Sequence, residues 1–551
     1  MSLPFDTERG ETLSDIILFN GRLTTQDLDF PHATALALRD GRILAVGNDD
    51  EIRGLTQSHT QYLDLDGRRV LPGLVDSHFH FYDWVLGRRG LSLTDTTSLD
   101  EVRQQVRQAT HNATSGQWIL GQGWNQDTWP HPRLPDRTDL DDLTPDNPTI
   151  LWRTDLHLAW VNSRALQLAG ITADTSDPDM GVIDRDQSGQ PTGILRELAI
   201  NLVRRVMPSP TQDETDQAMQ RVMTEVHRLG LTGVHDMRIM GGEDGPPAFR
   251  AWQRLRGERK LNLRVWMMLP GERLSEAIAL GLRTGFGDDY LRVGGIKLFA
   301  DGATGPRTAW MLEPFNDGGS GMPLTPMDDI AEIISRAHRA GISTSTHAIG
   351  DRAVRELLDV FAELLPEAGG DIRPLAPHRI EHVQHSYPAD LKRLAPMGLV
   401  ASVQPIHATD DMAMMDQACG DRTRWSYAFR DLLNAGTVLA LGSDCPVASP
   451  NPFWGIHAAV TRQRRDGTPP DGWYPAQRMT VAEAVWGYTM GPAYATGLSA
   501  CQGSLTPGKL ADLIVLDRDI FTIPPEDIPD TQVLLTILGG QLVYHSADFD
   551  G

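Results

Sequence analysis

The chain has 551 residues, 40% hydrophobic and 22% charged, the proportions of a globular protein too long for a single core, so two or three domains are expected. Its formal net charge of −23 argues against nucleic acid or an anionic membrane surface as a partner, while leaving room for a locally positive pocket around a bound cation. No stretch approaches 18 uninterrupted apolar residues, so no membrane span is expected.

The opening "MSLPFDTERGETLSD" is acidic and has no basic-then-apolar signal segment. The only cysteines are Cys419, Cys445 and Cys501. They form no CxxC unit, which argues against a disulfide framework or a thiolate zinc site and fits a reducing cytoplasm. Any metal must then be held by histidine, carboxylate or an oxygen derived from lysine. Residues 14–48 alternate apolar positions with turns at Asn20-Gly21 and Asp40-Gly41, which predicts β-hairpins. The other end repeats the style in "ADLIVLDRD" (511–519) and "VLLTILGGQLVYH" (533–545). Residues 1–70 and 501–551 are therefore expected to form one small β-sandwich domain from both termini.

Between them, strand-like runs recur at 71–80, 231–237, 263–269, 292–301, 343–349, 379–384, 399–404 and 438–444. Most are separated by helical spacing, as at 329–341 and 353–369. Eight strands alternating with helices predict a (β/α)8 barrel over 71–450, with its last helices at 451–500. The gap after the first strand is too long for one crossover, so an inserted α/β subdomain is expected at about 85–225. It would contain strands at "WILGQGW" and "TILWRTD" and helices near 101–112 and 211–229. "TSLDEV" (97–102) reads as a helix start.

The chemistry falls at strand ends. "LPGLVDSHFH" (71–80) places His78 and His80 two residues apart on a strand. Both imidazoles then face one side, about 6–7 Å apart along the chain, a pattern suited to a zinc-type divalent cation. Lys297 and Asp301 follow on the fourth strand, His347 on the fifth, His382 on the sixth and Asp444 on the eighth. One such histidine is more often a hydrogen-bonded core residue. Four histidines, a lysine and an aspartate at one barrel face point to metal chemistry. A free ammonium beside dications would be repelled, so Lys297 must deprotonate or become an anion. The alternative is a Lys297 paired with Asp301 or Asp236 in a mononuclear site.

The chain resembles the amidohydrolase superfamily, in its amidohydrolase-3 or YtcJ-like branch, which includes N-substituted formamide deformylases and AepA-like proteins. The resemblance runs in order through "LPGLVDSHFH", "GQGWNQDTW", "RTDLHLAWVNSRAL", "GQPTGILRE", "GIKLFADGATGPRTA", "THAIGDRA", "RIEHVQ", "ASVQP", "LGSDCPV", "NPFWGIHAAVTR" and "GSLTPGKLADLIVLD". It implies that His78 and His80 hold the more buried metal, and that Lys297 is N-carboxylated and bridges two metals. His347 and His382 would hold the second metal. Asp444 would contact the first and act as general base. Zinc is the expected ion, two per chain, with manganese, cobalt or iron as alternatives; relatives of this kind are often dimers.

The expected activity is metal-dependent hydrolysis of an amide-type carbon–nitrogen bond in a small organic substrate, with His157 or His407 steadying the oxyanion. The alternatives are an ester, carbamate or lactone hydrolase with the same centre, or a non-catalytic regulatory protein on this fold. No GxSxG elbow and no Rossmann or P-loop glycine pattern is present. Pro306, Trp310 and His407 depart from the resemblance and are expected to shape the pocket. His385 and Asp301 are expected to support it, as are His235 and Asp236. Trp124, Asn125, Gln126, Trp129 and Asn162 are read either as pocket wall or as the insertion's own core and caps. Met412, Met414 and Met415 are read as a local core or a lid.

Overall fold

A computed structural model describes residues 16–56, 58–367 and 374–549; the expected helix at 353–369 runs from Asp351 to Glu367, and its last two positions lie outside the described residues. Eight parallel strands form the central sheet: β1 Leu74–Phe79, β2 Leu231–Asp236, β3 Arg264–Pro270, β4 Leu291–Phe299, β5 Thr344–Ala348, β6 Arg379–His382, β7 Val400–Val403 and β8 Val438–Leu441. Each pairs with the next in chain order. The strands are buried almost throughout, as expected when helices cover a parallel sheet and side chains fill its interior. The helices bury one stripe against it. Met327–Arg339, for example, sinks Ile330, Ile334, Ala337 and His338, which recur at helical spacing.

The ring closes between β8 and β1 through the residues just past their ends. Asp444 N–H donates to the His78 carbonyl at 2.7 Å, and His80 N–H donates to the Cys445 carbonyl at 2.8 Å. Asp76 accepts from the backbone N–H groups of Ser443 and His78. A Cβ at Gly442 would lie 2.6 Å from both the Asp76 carboxylate and the His78 nitrogen, so this approach needs glycine.

The insertion after β1 carries a six-stranded mixed sheet. Its order is Gly181–Arg185, Pro191–Glu197, Leu158–Val161, Thr149–Arg153, Ile119–Trp124 and Leu91–Ser92. Trp124 and Trp160 are fully buried in its core with Trp129. Asn162 caps the helix Ser163–Leu168, and Ser98 caps the helix Leu99–Asn112. These three of the expected pocket candidates, Trp124, Trp129 and Asn162, therefore serve the insertion's own packing.

The termini build a sandwich of a four-stranded and a six-stranded sheet, which share a core including Leu18, Leu36, Val70, Leu513 and Leu535. The turns at Asp40-Gly41 and Gly539-Gly540 close antiparallel hairpins. Asn20-Gly21 does not. Ile16–Phe19 and Arg22–Thr24 belong to different sheets, and Asn20, with φ of 55°, turns the chain from one layer to the other. The pattern of a turn is the same in both cases; only the tertiary partner of each strand distinguishes them. Among the described residues, no helix is long and apolar enough to cross a membrane.

Candidate metal centre

His78, His80, Lys297, His347, His382 and Asp444 all line one cavity of about 1190 Å³ at the C-terminal mouth of the barrel. Each is buried, from 0% exposed at His78 to 8% at His80. Ring centroids lie 5.4 Å apart for His78 and His80, 4.8 Å for His78 and His382, and 4.6 Å for His347 and His382. Asp444 Oδ1 stands 3.2 Å from His80 Nε2 and 3.4 Å from His78 Nε2.

Three of the imidazoles have one nitrogen fixed by a neighbour, which sets the ring and leaves the other nitrogen for a ligand. His78 Nδ1 lies 2.7 Å from Glu381 Oε2, His382 Nδ1 lies 2.9 Å from Gln404 Oε1, and His347 Nε2 lies 3.0 Å from the Gly302 carbonyl. Glu381 is in turn gripped by Arg379, which also reaches His235, the Ser77 carbonyl and Ser402. Against the cost of burial, that guanidinium holds the Glu381 carboxyl well below its ordinary range.

Backbone strain marks the same places. His382 has φ of 74° and Asp444 has φ of 60°, both in the left-handed region. On β6, Arg379 and Glu381 point inward by alternation, so His382 would point out. Its left-handed backbone re-aims it into the mouth. Strain of this kind persists where the surroundings enforce it, and it concentrates at functional sites.

Several buried polar atoms here make no hydrogen bond: His78 Nε2, His80 Nδ1, Lys297 Nζ, Asp444 Oδ1 and His407 Nε2. Leaving a buried donor or acceptor unpaired costs about 1–3 kcal/mol each. Five around one cavity mark a place prepared for something else, and imidazole, carboxylate and amine are the donors a divalent cation takes. His78, His80 and Asp444 form one group whose ligand atoms lie within 4.8 Å of one another; His382, His407 and Asp444 form a second. Burial, then the nearby Lys297 charge, lowers His78 to about 4, so it is neutral and ligand-ready at neutral pH. Burial also lowers Lys297 to about 8. Lys297 Nζ makes no hydrogen bond to Asp301 or Asp236, the two partners considered for it. Asp301 accepts three backbone N–H groups, from Ile349, Gly350 and Trp310, while Asp236 is bound by Arg238, Trp252 and the Phe81 N–H.

The insertion supplies a fifth imidazole. His157 precedes Leu158–Val161, and Glu197 ends the antiparallel neighbour, so the register sets them side by side. His157 Nδ1 lies 2.7 Å from Glu197 Oε2, and Thr308 donates to Glu197 Oε1 at 2.9 Å. Burial works against a charged His157, but the Glu197 carboxylate outweighs it and raises the imidazole to about 9. Its ring lies 5.7 Å from that of His347. Glu197 also has a left-handed backbone, φ of 51°.

The remaining expected residues divide between the cavity wall and the structure around it. His385 bridges Thr304 and Ser426 and is structural. Pro306 and Trp310 do not line the cavity. Trp310 instead packs its ring against the Arg352 guanidinium on the helix beyond β5, at 4.7 Å. Asn125 lines the cavity and Gln126 holds Arg153. Met412 and Met415 are buried, and Met414 lines the cavity wall.

Barrel, terminal sandwich and a mouth crowded with imidazoles describe an amidohydrolase, and the chain belongs to the amidohydrolase family, whose model matches residues 61–544. It is 34% identical to Protein LONG AFTER FAR-RED 3 of Arabidopsis thaliana, over 97% of this chain and 92% of that one. It is 30% identical to YtcJ of Bacillus subtilis, over 93% and 96%, and 29% identical to the N-substituted formamide deformylase of Arthrobacter pascens, over 97% and 98%. An uncharacterized metal-dependent hydrolase from Pyrococcus horikoshii superposes with a TM-score of 0.75 at 27% identity, covering 93% of this chain and 99% of that one.

Proposed function

We propose that this protein is a metal-dependent hydrolase that cleaves an amide-type carbon–nitrogen bond of a small organic substrate. The observation that carries the reading is the set of buried, unpaired donor atoms of His78, His80, Lys297 and Asp444 around one cavity. His78, His80 and Asp444 would hold one cation; Lys297, His347 and His382 would hold the second. When bound, such cations polarise a carbonyl and make water more acidic. Zinc fits the donor set, and manganese, cobalt or iron are accommodated by the same atoms.

Lys297 is suited to become an anion. Its Nζ, lowered to about 8 by burial, offers a neutral amine at mildly alkaline pH. The amine lone pair bonds to the carbon of carbon dioxide, a proton leaves, and the resulting carbamate carries oxygen donors where the ammonium stood. Asp444, whose Oδ1 stands within 3.4 Å of both His78 Nε2 and His80 Nε2, takes a proton from the attacking water and returns it to the departing nitrogen. His157, which lines the same cavity and is held by Glu197, steadies the negative oxygen of the tetrahedral stage. The relative that carries a deformylase name favours carbon–nitrogen cleavage over ester cleavage.

The test is metal analysis of the purified protein followed by turnover of a panel of N-acyl and N-formyl amines. The reading predicts about two cations per chain and hydrolysis of at least one panel member, abolished by chelation and restored by zinc with bicarbonate. A chain with less than one cation, not regained on reconstitution, overturns it.

A further inference from the structure

The two-cation scheme above leaves two buried imidazoles at the cavity without work, His407 and His457; His457 Nε2 lies 3.4 Å from the Thr461 hydroxyl, whereas His407 Nε2 has no such partner. His407 sits in the short helix Pro405–Asp410 just beyond β7, is 8% exposed, and lines the cavity. Its Nε2 is buried and makes no hydrogen bond. Its ring lies nearly parallel to that of His382, with 11° between planes and 6.5 Å between centroids. One ligand-capable atom of each of His382, His407 and Asp444 lies within 4.8 Å of the other two. The segment acts on His382 twice. Gln404 fixes His382 Nδ1 at 2.9 Å, and three residues later His407 presents its own nitrogen.

We propose that His407 would be a protein ligand of the second cation, together with His382. The inference rests on the metal reading above. It follows from the cost of leaving a buried imidazole nitrogen unpaired beside a second imidazole and a carboxylate.

The experiment compares wild type with His407→Gln and His407→Ala, each reconstituted with zinc and bicarbonate, desalted and analysed for metal, with near-ultraviolet circular dichroism as the check on folding. The expected result is about two equivalents in wild type and about one in each variant. Retention of about two equivalents by a folded His407→Gln overturns the proposal and moves His407 to the substrate side. Should both variants misfold, wild type labelled with 15N-histidine decides. Five imidazoles showing metal-bound nitrogen shifts on zinc addition support the assignment, and four overturn it. Failure of wild type itself to hold any cation would instead sink the underlying metal reading, so the two failures are distinguishable.

Discussion

Replacing Glu197 by glutamine removes the carboxylate that faces His157 while keeping the side chain's shape. The pair is 2.7 Å apart, with the Glu197 side chain 1% and the His157 side chain 16% exposed. The displacement of His157 from 6.5 to about 9 corresponds to about 3 kcal/mol between its two protonation states, at about 1.4 kcal/mol per tenfold. A histidine raised on folding stabilises the fold fully below its unfolded value and loses that contribution as pH rises through the folded value. Wild type should therefore lose stability between about pH 6.5 and 9, and Glu197→Gln should flatten this slope, with the gap between the two proteins widest below pH 6.5. Histidine 13C titration would follow His157 directly, with His157→Gln supplying the assignment, and denaturant unfolding at stepped pH would follow the stability. A His157 that still titrates near 9 in Glu197→Gln would refute the reasoning.

Glu381→Gln should weaken zinc binding about 10–100-fold, because the partner that orients His78 loses its charge; competition with a chelator reads this. Asp444→Asn should cost on the order of 10²–10⁴ in turnover, the worth of a positioned proton carrier, measured on whichever amide the panel identifies. In Lys297→Gln, zinc reconstitution should no longer depend on bicarbonate, whereas wild type should need it; metal uptake with and without bicarbonate separates the two. Trp124→Ala should destabilise the insertion by about 3–5 kcal/mol, since the ring is fully buried and its Nε1 donates to the Leu151 carbonyl, and should show as an earlier thermal transition.

The eight barrel strands were legible because buried parallel strands read as short apolar runs between helical stretches. The ligand-type residues were legible because a barrel gathers strand ends at one face. What stayed hidden is what those residues lean on. Glu381 lies beside His382 in "RIEHVQ", and strict alternation could have placed it inward with Arg379. Its pairing with His78 is set by the barrel's closure across 303 positions, which no local spacing encodes. Glu197 is hidden for the same reason, since only the antiparallel register of the insertion brings it to His157. Trp310 is the opposite case, an expected pocket residue that the structure places elsewhere. It follows directly on a motif stretch, yet its ring packs on the Arg352 guanidinium of the next helix.

The hydrogen bonds that join β8 to β1 belong to His78, His80, Asp444 and Cys445, the very stretch that carries ligand-type side chains. The barrel's seam and its chemistry are thus one place, and a cation there would work as a buckle. A chain still being synthesised holds His78 and His80 from an early stage but has no fastening until residue 444 emerges. Loading should accordingly slow amide hydrogen exchange at residues 76–80 and 442–445 more than at β4, because it is the hoop's join, not its far side, that the ion pins shut.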